Sequence, residues 1–329
     1  MNNDEGAHTW ALVLAAGEGR RLRTLTTAAS GRSIPKQFCS LYEGPSLLHE
    51  AIERARAVAS RGRTCAVVAE QHRCWWMSAL ATLPAANVIV QPENRGTANG
   101  ILLPILHIAG RDPKARVVLL PSDHHVRNEG ILAASLLEAV ELLHGSGEEV
   151  VLLGLHPEDA DPEFGYIVPR DGGNGRARSV ERFVEKPSRE QAASLIASGA
   201  LWNAFIIASS VPALLAMFRR RIPEIVTSLE AAVRSDPEKL SCAIAQVYER
   251  IPVIDFCRDI LSGEESHLKV LPVPSCGWSD LGTPRRVADA LCKMPRPDAR
   301  SSAEGGLGQL SLAAEHERLL FRTAQQYRQ

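Results

Sequence analysis

The sequence predicts an α/β protein built on a doubly wound, mostly parallel sheet. Three observations carry this expectation. Apolar runs of strand length alternate with helical stretches over roughly the first 150 residues, the pattern of βα units. The runs lie at 10–16, 65–69, 88–90, 117–120 and 150–154, and the first is apolar throughout, as a buried strand should be. Polar or glycine-containing loops at 17–21, 91–97 and 122–124 each follow a strand, at the carboxyl ends where such sheets bind ligands.

Each element has its local reason. The first strand breaks at Gly17-Glu18-Gly19, a glycine loop. A helix over 46–59 places Leu47, Leu48, Ala51, Ile52 and Ala55 on one face. Helices follow over 71–80, over 97–109 with Gly96 just before it, and over 131–143; Pro121 stops the fourth strand. The second half changes character. Strands are expected at 166–169, 180–185 and 205–208, with a glycine-rich turn at 171–175. Helices are expected at 190–197, 211–220, 222–234 and 284–292, and a strand at 267–272. Residues 295–308 are rich in Pro, Gly and Ser and read as a linker, with 310–327 as a terminal helix.

The bulk numbers exclude several classes. With 329 residues the chain can bury a large core without a disulfide or metal staple. A net charge of −1 gives no basic footprint for nucleic acid. The seven cysteines are scattered and never form a CxxC pair, so neither a disulfide framework nor a zinc site is expected, and free thiols suit a reducing cytoplasm. No signal peptide is read at the polar start and no membrane span anywhere, a span needing about 20 apolar residues.

The strongest local signal is Ala15-Ala16-Gly17-Glu18-Gly19-Arg20-Arg21-Leu22, followed by Pro35-Lys36-Gln37-Phe38. Glycines after a strand let backbone N–H groups approach phosphates, and Arg21 and Lys36 add positive charge. The loop is not a dinucleotide fingerprint, which would need glycine at Leu22, nor a Walker loop. Taken alone, the glycines also suit a tight strand–helix turn. Asp123, in Pro121-Ser122-Asp123-His124-His125, is either a turn acid or a hard oxygen ligand beside phosphates. Its two adjacent histidines do not readily face one metal, so zinc is not expected. A second acid, Asp280, stands far along the chain in Gly277-Trp278-Ser279-Asp280-Leu281-Gly282.

These segments together resemble the nucleotidyltransferase family of sugar-nucleotide pyrophosphorylases, over roughly residues 10–287. Within it the chain looks most like the mannose-1-phosphate guanylyltransferases, which show PKQF, FVEKP and WSDVG segments; here these are Pro35-Lys36-Gln37-Phe38, Phe183-Val184-Glu185-Lys186-Pro187 and Trp278-Ser279-Asp280-Leu281-Gly282. The resemblance implies a Rossmann-like nucleotidyltransferase fold over 9–294. A nucleotide-binding half would cover 9–155 and a sugar-phosphate-binding half 156–294, with the linker and helix at 295–329. It also implies roles. Ala15, Ala16, Gly17, Gly19, Arg21, Lys36, Gln91, Arg95, Thr97 and Asp123 would bind the nucleotide. Gly165, Tyr166, Glu185, Lys186 and Asn203 would bind the sugar phosphate, and Asp123 and Asp280 would hold Mg²⁺. Arg21, Lys36, Asp123, Lys186 and Asp280 would carry catalysis. Three places depart from the pattern: Gln91 stands for an acid, Asn99 for a proline, and Arg23-Thr24 for a Trp-Pro pair. Trp278 is read as packing, and Asp255 as a helix N-cap.

The expected reaction joins GTP and mannose-1-phosphate to give GDP-mannose and pyrophosphate. Thymidylyl or uridylyl transfer to glucose-1-phosphate is the alternative within the family. A silent nucleotide-sugar sensor would lack the charged set that is present here. A glycosyltransferase would want a DxD-type motif, whereas Ser122-Asp123-His124 offers one acid. A homodimer is left open as the assembly, and the absence of hexapeptide repeats argues against the β-helical extension of some relatives.

Overall fold

The computed structural model describes residues 8–27, 31, 33–42, 44–144, 149–172 and 175–293; the predicted linker and terminal helix lie outside the described residues. Strands β1 (Thr9–Ala15), β2 (Thr64–Ala69), β3 (Val88–Gln91), β4 (Arg116–Pro121), β6 (Val150–Leu155), β7 (Gly165–Pro169), β8 (Arg178–Glu185), β9 (Leu201–Ser210) and β10 (Leu268–Val273) form one nine-stranded sheet. Its order is β3-β2-β1-β4-β9-β6-β10-β8-β7. Two further strands, β5 (His125–Val126) and β11 (Trp278–Ser279), pair with each other alone. The helices are α1 (Arg23–Thr26), α2 (Leu47–Ala55), α3 (Arg73–Ala79), α4 (Gly96–Arg111), α5 (Glu129–Leu142), α6 (Arg189–Ala197), α7 (Val211–Arg221), α8 (Pro223–Val233), α9 (Leu240–Tyr248) and α10 (Pro284–Cys292).

The predicted α/β class holds, with helices on both faces. Alternation along β1 shows why its residues are apolar throughout. Ala11, Val13 and Ala15 join one core with Leu47, Leu48, Leu132 and Val287, while Trp10 and Leu12 join the other with Ile101, Leu214 and Phe218. Caps fix the helix starts the sequence predicts. Ser46 caps α2, Thr283 caps α10 with Pro284 in its first turn, and Ser188 with Gln191 forms a capping box on α6.

The sequence does not show that β9 lies between β4 and β6, antiparallel to both. The two halves therefore share a sheet: β9 comes from the second half and its neighbours from the first. Nor does the sequence reading include α9 or a short helix at Phe256–Leu261, whose Asp255 N-cap it does foresee; the Asp255 carboxylate accepts from the Arg258 N–H at 2.9 Å. Among the described residues no helix is long and apolar enough to cross a membrane, and all seven cysteines are free.

Candidate active site

One cleft of about 310 Å³ opens at the carboxyl ends of β1 and β4 and runs toward β7 and β9. Ala16, Gly17, Arg21, Gln91, Thr97, Asp123, Gly165, Glu185, Asn203 and Asp280 line it. Both halves thus face a common space.

The glycine turn is shaped by close approach. Gly19 sits at φ 59°, and a Cβ there would lie 2.8 Å from the Lys36 backbone nitrogen, so only glycine fits. Gln37 fastens the turn: its Nε2 donates to the carbonyls of Ala15 at 3.0 Å and Gly17 at 2.7 Å. The sequence reading treats Gln37 only as part of a motif, yet it lines the cleft.

A two-residue ladder brings the two acids together. β5 and β11 pair antiparallel, with Ser279 opposite His125 and Trp278 opposite Val126. Asp123 precedes His125 by two positions and Asp280 follows Ser279, so this register carries both to the same end. Lys36 sits between them, its Nζ 2.8 Å from Asp123 Oδ2 and 2.6 Å from the Asp280 carbonyl oxygen. Lys36 is only 4% exposed, and an ammonium has three N–H donors, so one remains for a ligand. Arg21 reaches Asp280 Oδ2 at 3.5 Å and Glu163 at 3.4 Å.

Burial alone would raise the Asp123 carboxyl, but Lys36, helped by His124 and Arg21, brings it down to about 2, so it is ionised at neutral pH. His124 is pushed down to about 4 by burial and by Lys36, against the pull of Asp123 and Asp280, and is neutral at pH 7. Trp278 Nε1 lies 3.2 Å from His124 Nδ1, which must then accept, leaving the proton on Nε2, 3.6 Å from Asp123 Oδ1. Trp278 is therefore more than the packing residue expected: it sets a tautomer and lines the cleft. His125 turns instead toward Glu50, at 3.7 Å, so the adjacent histidines face different partners.

Two aspartates supply hard oxygen donors, which suit Mg²⁺. A second donor cluster, Glu185, Asp255 and Cys257, has ligand atoms within 4.8 Å of one another. It includes a thiol that burial holds well above its usual range, so it suits Mg²⁺ less well.

On the opposite wall, Asn203 Oδ1 accepts from the Phe205 N–H at 3.0 Å and its Nδ2 points to Cys257 Sγ at 3.4 Å. A Cβ on Gly165 would fall 2.6 Å from Glu185 Oε2, so glycine there keeps the acid in place. Three non-glycine residues have positive φ among the described residues: Lys186 (48°), Phe205 (56°) and Leu281 (48°). Each lines the cleft or adjoins a residue that does, and strained backbone gathers at functional sites.

Three expected contacts are placed differently. Tyr166 is fully buried in the core, its hydroxyl donating to the Asp161 carbonyl at 3.0 Å; strand alternation sends it to the face opposite Gly165, which corrects its expected place against the sugar phosphate. Arg95 pairs with Glu93 at 2.9 Å and is not a lining residue of the cleft. Lys186 is exposed beside the cleft, its N–H bonded to the Phe164 carbonyl at 3.2 Å. Thr97 lines the cleft but also accepts the Phe256 N–H at 2.7 Å, and Gly96 faces the Ile254 carbonyl, where a Cβ would stand 2.2 Å away. These contacts stitch the start of α4 to the second half.

A cleft with a cationic glycine turn and two meeting aspartates, at the carboxyl ends of a doubly wound sheet, is what a nucleotidyl transferase requires. The family model described as "Nucleotidyl transferase" matches residues 10–296, and the chain belongs to that family. It is similar to the Escherichia coli O157:H7 protein named mannose-1-phosphate guanylyltransferase 2, at 29% identity over 88% of this chain and 61% of that one. It is also similar to the xanthan biosynthesis protein XanB of Xanthomonas campestris, at 30% identity over 67% of this chain and 46% of the relative. The chain thus spans between about half and three fifths of the length of these relatives. Among solved structures, a Thermus thermophilus protein titled mannose-1-phosphate geranyltransferase superposes with a TM-score of 0.73 at 28% identity, covering 88% of this chain and 80% of that one. A UDP-glucose pyrophosphorylase shares the fold, with a TM-score of 0.55 at 14% identity, covering 86% of this chain and 97% of that one.

Proposed function

We propose that the chain transfers a nucleotidyl group from a nucleoside triphosphate, GTP in the first instance, to a sugar-1-phosphate, mannose-1-phosphate in the first instance, releasing pyrophosphate. The observation that carries the reading is the meeting of Asp123 and Asp280 around Lys36 on a cleft that also holds the glycine turn. The names of the two relatives and of the Thermus structure support the mannose and guanine choices.

Both reactants are anionic, so repulsion is the barrier rather than a weak nucleophile. A phosphate monoester has a second pKa near 6, so its oxygen is mostly ionised at neutral pH and needs no general base. It attacks the α-phosphorus in line and pyrophosphate departs. Arg21 and the remaining N–H of Lys36 face the charge that grows on the departing group. The backbone of Gly17 and Gly19 seats the phosphates, and Gln91 and Thr97 lie where a base would be held. Glu185 and Asn203 face the sugar, with Lys186 at the rim. Asp123 and Asp280 would hold Mg²⁺, which supplies charge neutralisation between the two phosphates. In this reading the enzyme works as a homodimer or a monomer with equal chemistry, since all these groups come from one chain.

The deciding experiment is a matrix of nucleoside triphosphates against sugar-1-phosphates, scored by pyrophosphate release with Mg²⁺ and with chelator. GTP with mannose-1-phosphate should exceed the other pairs, and chelator should abolish turnover. Preference for dTTP or UTP with glucose-1-phosphate would move the assignment to the alternative pyrophosphorylases. No release with any pair would sink it.

Glu185 adds a pH signature. Burial and the neighbouring Asp255 push its carboxyl up to about 7, against the pull of Lys186 and Arg258. As a carboxylate it accepts sugar hydroxyls more strongly, so KM for the sugar phosphate should fall as pH rises through 7. In Glu185→Gln only the substrate's own ionisation near pH 6 should remain. Because its folded pKa is raised, the stability it contributes is complete below 4.5 and fades as pH climbs through 7. Identical KM–pH curves for the two proteins would remove Glu185 from the sugar site.

A further inference from the structure

We propose that Arg286 is a positioning residue: it commits one oxygen of Asp280 so that the other is presented to the cleft. The inference rests on Asp280 as a metal ligand and deepens that reading. Arg286 lies in the first turn of α10, where its side chain is 16% exposed. Its Nη1 donates to Asp280 Oδ1 at 2.8 Å, and its Nη2 pairs with Asp161. The guanidinium lies over the Phe164 ring, 4.3 Å from the centroid.

The two oxygens of Asp280 are treated unequally. Oδ1 accepts two donors, Arg286 and the Gly282 N–H at 3.0 Å. Oδ2 has only the long contact to Arg21 at 3.5 Å, whose own side chain is half exposed. One oxygen is thus tied from behind and the other left toward the ligand space, the arrangement of a ligand with fixed direction. The anchor is itself held. Asp161 Oδ1 accepts the Glu163 N–H at 2.8 Å, and its carbonyl accepts the Tyr166 hydroxyl. A planar fork spans two carboxylates at set angles, which a single ammonium does not. Partners that orient metal ligands in this way typically govern affinity by about 10–100-fold.

A bland alternative is that Arg286 merely docks α10 on the loop before β7. The two roles separate on metal affinity. The experiment titrates Mn²⁺ alone, by electron paramagnetic resonance, into wild type, Asp280→Asn, Arg286→Ala and Arg286→Lys, and then measures the Mg²⁺ needed for half-maximal turnover in each. Asp280→Asn should weaken Mn²⁺ binding. Arg286→Ala should weaken it by about 10–100-fold and raise the Mg²⁺ requirement in parallel, and Arg286→Lys should fall between. A cavity of about 590 Å³, lined by Arg286, Asp161 and Asp280, opens behind the carboxylate. Millimolar guanidinium should therefore enter and partly restore Mn²⁺ affinity in Arg286→Ala.

Unchanged or tighter Mn²⁺ binding in a folded Arg286→Ala would overturn the proposal, since losing a positive charge by itself favours the ion. If Arg286→Ala does not fold, Arg286→Lys decides alone, and wild-type affinity there overturns it. Mn²⁺ binding unaffected in Asp280→Asn would instead remove Asp280 from the metal site, a failure of the parent reading.

Discussion

Asp123→Asn lowers the turnover number by about three orders of magnitude or more, measured as pyrophosphate release at saturating substrates and Mg²⁺. The size follows from what is lost. A full negative charge, held ionised down to about pH 2, disappears from a site where charge neutralisation is the main catalytic device. About 4 kcal/mol of such stabilisation corresponds to about a thousandfold in rate. The substitution is nearly isosteric, so the change reports charge rather than shape. Asp123 also contributes stability that is present above its ordinary value of 3.8 and lost as pH falls through about 2. The variant should therefore be less stable at pH 7 and lose less on acidification. A variant within tenfold of wild-type turnover would mean that the acid is only a turn former after β4.

Lys36→Met should cost about 10²–10³ in kcat/KM. Methionine fills the buried space but leaves the Asp123 carboxylate and the Asp280 carbonyl with no shared donor. Burial then acts on Asp123 without its main opposing charge, and its carboxyl rises. The acid limb of the pH–rate profile should move to higher pH along with the fall in rate. Retention of more than a tenth of wild-type kcat/KM, with the acid limb unmoved, would show that Lys36 braces the fold and does not serve the reaction.

Much of the site was legible as motif order. Gly17, Gly19, Arg21, Lys36, Asp123, Glu185, Asn203 and Asp280 carry chemical types that phosphates, sugars and hard cations need, and their order along the chain narrowed the family. What escaped has a physical reason in each case. β5 and β11 are two residues each, too short to show any period, yet their ladder is what joins the two acids. Tyr166 was misplaced because its neighbour Gly165 faces the cleft, and a strand gives adjacent residues opposite faces. Arg286 and Asp161 read as surface charges until packing puts them against Asp280. Trp278 reads as packing because only the folded chain sets its indole against His124.

The sequence by itself determined the α/β class, the ends of most elements and the residue types of the site. Those depend on local matters: side-chain periodicity, caps, and glycines where backbone must pass close. Only the tertiary structure decided that β9 inserts between β4 and β6, that Lys36 spans both aspartate segments, and that Asp280 offers one oxygen while Arg286 holds the other. Each of these depends on residues brought together from separate parts of the chain, and no local propensity encodes such pairings; they follow from burying two faces of one sheet at once.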